Sequence, residues 1–229
     1  VTEKRTRRKT TYKNADLKEP IALTPRNDKQ AEYISALKGS EQVIVTGPAG
    51  TGKTYISASW AASQYNIKAI DKIIITRPHV PVGKDIGYLP GTLEEKVLPW
   101  AMPVIDVLIL HLGKGAVETA IKNGNIEIVP LALIRGRSFD NATILVDEAQ
   151  DLTVHEMKAM LTRVGEGSQI ILDGDVEQVD IKEQSGLAKI VHLAKKHHMD
   201  VPVIEFAVED VVRSGICKAW LKVFRDEGL

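Results

Sequence analysis

The segment that most limits what this chain can fold into lies between residues 43 and 65. A β-branched run, Val43-Ile44-Val45-Thr46, leads into Gly47-Pro48-Ala49-Gly50-Thr51-Gly52-Lys53-Thr54, and a helix-like stretch follows over 53–65. The octet fits the pattern G-x-x-x-x-G-K-[ST], with the strand before and the helix after that the pattern requires. Its glycines let the backbone curl until successive N–H groups point inward as an anion-binding nest. The helix adds its positive N-terminus at the same point. With glycine near 7% of residues, chance alone would produce the octet in roughly one chain in a hundred of this length. The flanking elements lower that further, so a Gly-rich turn of no consequence is the weaker reading. From such a loop Lys53 reaches the β- and γ-phosphates of a nucleotide, and Thr54 can place its hydroxyl on Mg²⁺.

The rest of the chain repeats the alternation. Runs at 73–76, 126–129, 144–147, 170–173 and 203–206 read as strands, several of them apolar on both faces as in a covered parallel sheet. Helical patterns occupy 28–38, 53–65, 92–112, 114–123, 154–164, 185–197 and 215–226. Pro99 and Pro103 are expected to break or kink the first half of the 92–112 segment. The fold class is therefore α/β, one domain with a mostly parallel sheet flanked by helices. Ligands of such sheets lie beyond the carboxyl ends of the strands. A length of 229 residues suits one large domain or two small ones, and 44% apolar with 26% charged residues excludes a wholly disordered chain. No apolar run reaches the length of a membrane span. No apolar segment follows the basic start, so no signal peptide is expected. Cys217 is the single cysteine, which rules out a disulfide framework and a Cys-rich zinc site and points to a reducing, cytoplasmic compartment.

The charge balance of 30 Lys plus Arg against 30 Asp plus Glu conceals an asymmetry. Lys4, Arg5, Arg7, Arg8, Lys9 and Lys13 face only Glu3, so residues 1–13 carry +5 and the remainder −5. Residues 1–20 read as a basic arm and 21–229 as the folded domain. The arm can neutralise phosphates without a fold of its own, or serve as a solvated tail.

Two further segments carry chemistry. The run Ile144-Leu145-Val146 leads into Asp147-Glu148-Ala149-Gln150. Asp147 at the strand end is placed to hold Mg²⁺ through its water shell, and Glu148 to act on an attacking water as general base. Alone this is equally a solvated acidic turn; beside a phosphate loop it completes the loop, metal and base that hydrolysis needs. After the next strand comes Gly174-Asp175-Val176-Glu177-Gln178. Gln178 there can hydrogen-bond the γ-phosphate or the water.

In that order the three segments resemble the nucleotide-site motifs of superfamily-1 helicases, and more narrowly the PhoH-like ATPase family. The match runs from about Leu23 nearly to the end. It is carried by residues 24–34, the phosphate loop, TRPHVPVGKDIGYLPGTLEEKVLPW (76–100), PLALIRGRSF (130–139), 144–180, SGL (185–187) and DVVRS (210–214). His79 and Ser214 depart from the family's usual residues, and neither falls on a nucleotide-site motif.

The resemblance implies a RecA-like P-loop NTPase domain that uses ATP and Mg²⁺. It implies that Gln30 reads the adenine edge, the alternative being a polar helix-surface residue. It implies that Arg213 stabilises charge on the transferring phosphoryl group, in trans within a homo-oligomeric ring, expected to be a hexamer. A structural ion pair of Arg213 with Glu209 or Asp210 is the alternative. Arg77, Arg135 and Arg137 each follow a strand, and in helicase-like folds such loops touch a nucleic-acid backbone, so single-stranded RNA or DNA is the expected partner. Aromatic content of 5% leaves no extended stacking platform, with Tyr88 and Trp100 as single candidates. His197-His198 reads as a solvated helix end. The expected activity is ATP hydrolysis coupled to single-stranded nucleic acid, with RNA unwinding as its further extension. The alternatives are an ATP-dependent binding or remodelling module without helicase activity, and a small-molecule kinase, against which Glu148 argues.

Overall fold

The computed structural model describes residues 18–19, 21–78, 93–134, 136–181, 183–213 and 215–227. Arg135, Tyr88, His79, Ser214 and all of the basic arm except Lys18 and Glu19 lie outside the described residues.

Six strands form one sheet: β1 (Gln42–Thr46), β2 (Lys72–Thr76), β3 (Ile126–Ile128), β4 (Ala142–Val146), β5 (Gln169–Gly174) and β6 (Val203–Glu205). Their order is β3-β2-β4-β5-β1-β6, and every pairing is parallel. Seven α-helices are present among the described residues: α1 (Asp28–Gly39), α2 (Lys53–Asn66), α3 (Leu93–Leu112), α4 (Lys114–Lys122), α5 (Val154–Leu161), α6 (Gly186–Lys196) and α7 (Gly215–Glu227).

Alternate strand residues supply two separate cores. Ile44, Ile144, Val146, Ile170 and Leu172 pack against Met157 and Met160 of α5 and Leu187 of α6. Val43, Val45, Ile73, Ile75, Leu145 and Ile171 face the other way, against α1, α2, α3 and α4. Burial on both faces is why these strands read as continuous apolar runs. The layering is the α/β arrangement of a parallel sheet flanked by helices that the RecA-like reading requires.

Local chemistry sets the helix ends. Asn27 caps α1 by accepting from the Gln30 N–H at 2.8 Å. Thr153 and Glu156 form a reciprocal capping box at the start of α5. That helix stops at Leu161, short of the expected 164, where the Thr162 hydroxyl bonds back to the Lys158 and Ala159 carbonyls.

One expectation is corrected in part: Pro99 and Pro103 do not break their segment, which runs as one helix from Leu93 to Leu112. Both prolines are exposed, so they lie on the solvent side of the helix. Meanwhile Ala101, Val104, Ile105 and Leu108 bury the opposite stripe. Packing overrides propensity here. Among the described residues no helix is long and apolar enough to cross a membrane.

β5 lies between β1 and β4. At a spacing of about 4.8 Å per strand, the ends of β1 and β4 are roughly 10 Å apart. That gap, at the carboxyl edge, is where the phosphate loop and Asp147-Glu148 face each other.

Candidate active site

The loop from Gly47 to Thr54 needs its glycines. Gly47, Gly50 and Gly52 adopt φ of 133°, 87° and 91°, a region that side chains rarely enter. At Gly47 there is also no room, since a Cβ would fall 2.7 Å from the Phe206 Cβ and against the Phe206 carbonyl. The Gly47 N–H donates to the Gly174 carbonyl at 3.2 Å, joining the loop to the end of β5. The Thr51 hydroxyl donates to the Pro48 carbonyl at 3.0 Å and closes the turn through Ala49 and Gly50. Lys53 Nζ donates to the Gly47 and Pro48 carbonyls, inside the curl.

Helix α2 then carries Thr54 across the gap. Its hydroxyl donates to Asp147 Oδ1 at 3.2 Å. Two hard oxygen donors at that separation fit Mg²⁺, which keeps several waters and completes its shell with substrate phosphates. Among the described residues no group of three or more His, Cys, Asp or Glu could hold a metal. An ion held by this pair would share its shell with nucleotide and water.

Register brings Arg77 to the same point. Thr76 of β2 pairs with Val146 of β4, and the Asp147 N–H donates to the Thr76 carbonyl at 3.0 Å. The next residue on each strand is thus Arg77 beside Asp147. The Arg77 guanidinium lies 3.9 Å from Asp147 Oδ2 and 3.4 Å from Glu148 Oε1. Glu148, at φ 52° and ψ 41°, receives a hydrogen bond on Oε2 from the Gln150 amide at 2.7 Å. The other end of that amide accepts from the Asp175 N–H at 3.0 Å. Gln150, buried and absent from the sequence-based set, thereby joins the acidic pair to the turn after β5.

A second omission lies beneath the loop. Asp173 on β5 accepts from Ser57 Oγ of α2 at 2.6 Å and from Tyr33 Oη of α1 at 3.1 Å. Burial raises its carboxyl to about 7; the Ser57 hydrogen bond and Lys53 oppose the rise, and the Asp147 charge adds to it. Burial also lowers Lys53, against the pull of Asp173, Asp175, Glu148 and Asp147. Asp147 is raised by burial and by Glu148, partly offset by Arg77 and Thr54. The available signal was a carboxylate closing the apolar run Ile170-Ile171-Leu172, with Ser57 one helical turn past Lys53.

The other expected residues lie as follows. Gln30 is buried under the loop, with its amide nitrogen 2.9 Å from the Thr51 carbonyl and its amide oxygen accepting from the Arg26 N–H at 2.9 Å. Both ends are engaged within the chain, so its direct contact is with the loop backbone. Arg213 lies on the phosphate loop of its own chain: its Cδ and Nε fall 2.8 Å from where a Cβ on Gly50 would be. The Val212 N–H donates to the Gly50 carbonyl at 3.0 Å, and Asn27 anchors the preceding turn through the Asp210 carbonyl. Gln178 is exposed, its backbone N–H closing a turn onto the Asp175 carbonyl. Arg137 pairs with Glu127 at 2.6 Å and stacks over the Phe139 ring at 4.8 Å. Trp100 is half-buried on α3, and His197 and His198 are exposed at the end of α6.

The family model described as PhoH-like protein matches residues 22–225. The chain belongs to the PhoH-like family. It is 38% identical over 213 residues to "Protein PhoH" of Escherichia coli K12, covering 91% of this chain and 60% of that protein. It is 44% identical over 186 residues to a "PhoH-like protein" of Bacillus subtilis, covering 80% of this chain and 58% of the relative. The PhoH-like chain thus spans about three-fifths of the length of these curated relatives. Among solved structures, the Sulfolobus solfataricus SWI2/SNF2 ATPase core in complex with dsDNA aligns with a TM-score of 0.45 at 16% identity, over 71% of this chain and 35% of its own. Family and geometry together make this PhoH-like chain a nucleotide-binding module of the P-loop ATPase type.

Proposed function

We propose that the module hydrolyses ATP to ADP and phosphate with Mg²⁺ and couples the reaction to single-stranded nucleic acid. The observation that supports this best is the approach of Thr54 to Asp147 at 3.2 Å, with Lys53 in the loop and Glu148 adjacent. The loop N–H groups and Lys53 bind and orient the β- and γ-phosphates. Thr54 and Asp147 would hold Mg²⁺, which neutralises phosphate charge when bound. Glu148 takes the proton of the attacking water as its oxygen bonds to the γ-phosphorus and the bond to the β,γ-bridging oxygen breaks. Arg213 stabilises the transferring group. Gln30 acts first as a brace for the loop, and Gln178 as a reporter of the γ-phosphate.

Arg213 resting on its own loop supports a reading in which it serves the site of its own chain. A homo-oligomeric ring of six then rests on the family resemblance alone. The lone Cys217 suits a cytoplasmic setting.

The test is Glu148→Gln. This variant should bind ATP with wild-type affinity and hydrolyse it at least about 100-fold more slowly. Hydrolysis at the wild-type rate would remove Glu148 as the base. A second reading, an ATP-dependent binding or remodelling module, is favoured by the internal pairing of Arg137 with Glu127 and Phe139. ATPase assays with single-stranded RNA and DNA across a salt series separate the two. Stimulation that fades with salt supports the nucleic-acid reading, and a flat response supports the remodelling module.

A further inference from the structure

The expected general base is held at both oxygens. Gln150 donates to Glu148 Oε2 at 2.7 Å, and the Arg77 guanidinium sits 3.4 Å from Oε1 while reaching Asp147 Oδ2 at 3.9 Å. The two contacts differ in kind. The Gln150 bond is short and continues through a buried bond to the Asp175 N–H, so it orients the carboxylate without leaving the site. The Arg77 contacts are longer than the 2.7–2.9 Å of a good charge-assisted bond, and the side chain is 36% exposed. By contrast, Arg137, similarly exposed, is closed onto Glu127 at 2.6 Å and stacks over the Phe139 ring.

We infer that Arg77 is a releasable clamp on Glu148, and that a backbone phosphate of single-stranded nucleic acid releases it. A phosphate offers the guanidinium two oxygens in a bidentate geometry that neither carboxylate supplies here. Once turned toward that phosphate, Arg77 no longer fixes the Oε1 lone pairs, and Glu148 can present them to the attacking water while Gln150 keeps the carboxylate in place. The register of β2 against β4 makes this coupling direct, because Arg77 and Asp147 follow paired residues. The inference rests on the reading of Glu148 as base. Arg77 acts through Glu148 and is a positioning residue.

The experiment uses Arg77→Ala and Arg77→Lys, measured as steady-state phosphate release with and without polyuridylate and oligodeoxythymidylate. Loss of a part-exposed pair of this kind should raise basal kcat about two- to fivefold. KM for ATP should stay within about twofold, and polynucleotide stimulation should disappear. Arg77→Lys, which can engage one carboxylate at a time, should fall between. Nucleotide binding by each variant reports that it is folded. The double variant Arg77→Ala, Glu148→Gln should be as slow as Glu148→Gln alone, showing that the rise passes through the base. An unchanged or reduced basal rate in Arg77→Ala overturns the clamp. A raised basal rate with a wild type that no polynucleotide stimulates overturns the ligand assignment and leaves the clamp. A fast Glu148→Gln single variant instead overturns the function reading on which both depend.

Discussion

Asp173 offers the sharpest thermodynamic test of the site's architecture, because its carboxyl is held under the phosphate loop at 4% exposure. The groups facing it are Ser57 and Lys53 of α2, Tyr33 of α1 and Asp147 beyond β4. Burial outweighs the favourable contacts, so the carboxyl moves from an ordinary 3.8 to about 7. Between those values the folded chain holds a proton that the unfolded chain releases. Stability must therefore fall as pH rises through that window and level off above about 7. Each tenfold change in proton affinity is about 1.4 kcal/mol, so the full displacement corresponds to roughly 4 kcal/mol. Asp173→Asn keeps the size and can still bond both hydroxyls, but it cannot titrate. Urea unfolding at intervals from pH 4.5 to 8 should show the variant gaining on wild type by that order. With m near 2 kcal/mol/M this is about 2 M in midpoint. Asp147 titrates in both proteins and largely cancels in the difference. A difference that stays constant within about 1 kcal/mol across the window would show that Asp173 is an ordinary carboxylate, and the burial argument would be wrong.

Two further outcomes follow from the loop. Gly47→Ala forces a side chain into φ 133° and against Phe206; thermal or urea unfolding should show a loss of about 2 kcal/mol or more, together with loss of nucleotide binding. Arg213→Ala should lower kcat by about 100-fold or more, and on the proposed cis reading mixing it with Lys53→Ala subunits should restore nothing; recovery in the mixture would place the arginine in trans.

The fold was legible because a covered parallel sheet writes itself as apolar runs separated by helical periods. All six strands fall on runs such as Ile73-Ile74-Ile75 and Ile170-Ile171-Leu172. Sequence could not give the order β3-β2-β4-β5-β1-β6, which depends on which faces meet rather than on any local pattern. Pro99 and Pro103 misled for a related reason. Propensity treats each proline as a break, whereas the outcome depended on their lying on the solvent side of a helix whose other stripe is buried.

The arginines show most clearly where reading residues in order stops working. Position after a strand identifies the edge on which a side chain emerges, and Arg77 and Arg137 both satisfy it. What each can bind is decided by neighbours brought in by sheet register and by folding back. Thr76 pairs with Val146, so Arg77 meets two carboxylates from β4. Arg137 meets Glu127 only ten residues before it in the chain and stacks over Phe139. The family resemblance implies that Arg213 acts in trans on a neighbouring subunit. Yet the Val212 N–H bonds the Gly50 carbonyl and the Arg213 side chain covers that glycine, so the segment after β6 reaches the phosphate loop of its own chain. The same glycine permits the loop's curl and leaves space for the arginine above it, and a side chain at Gly50 would disturb both at once.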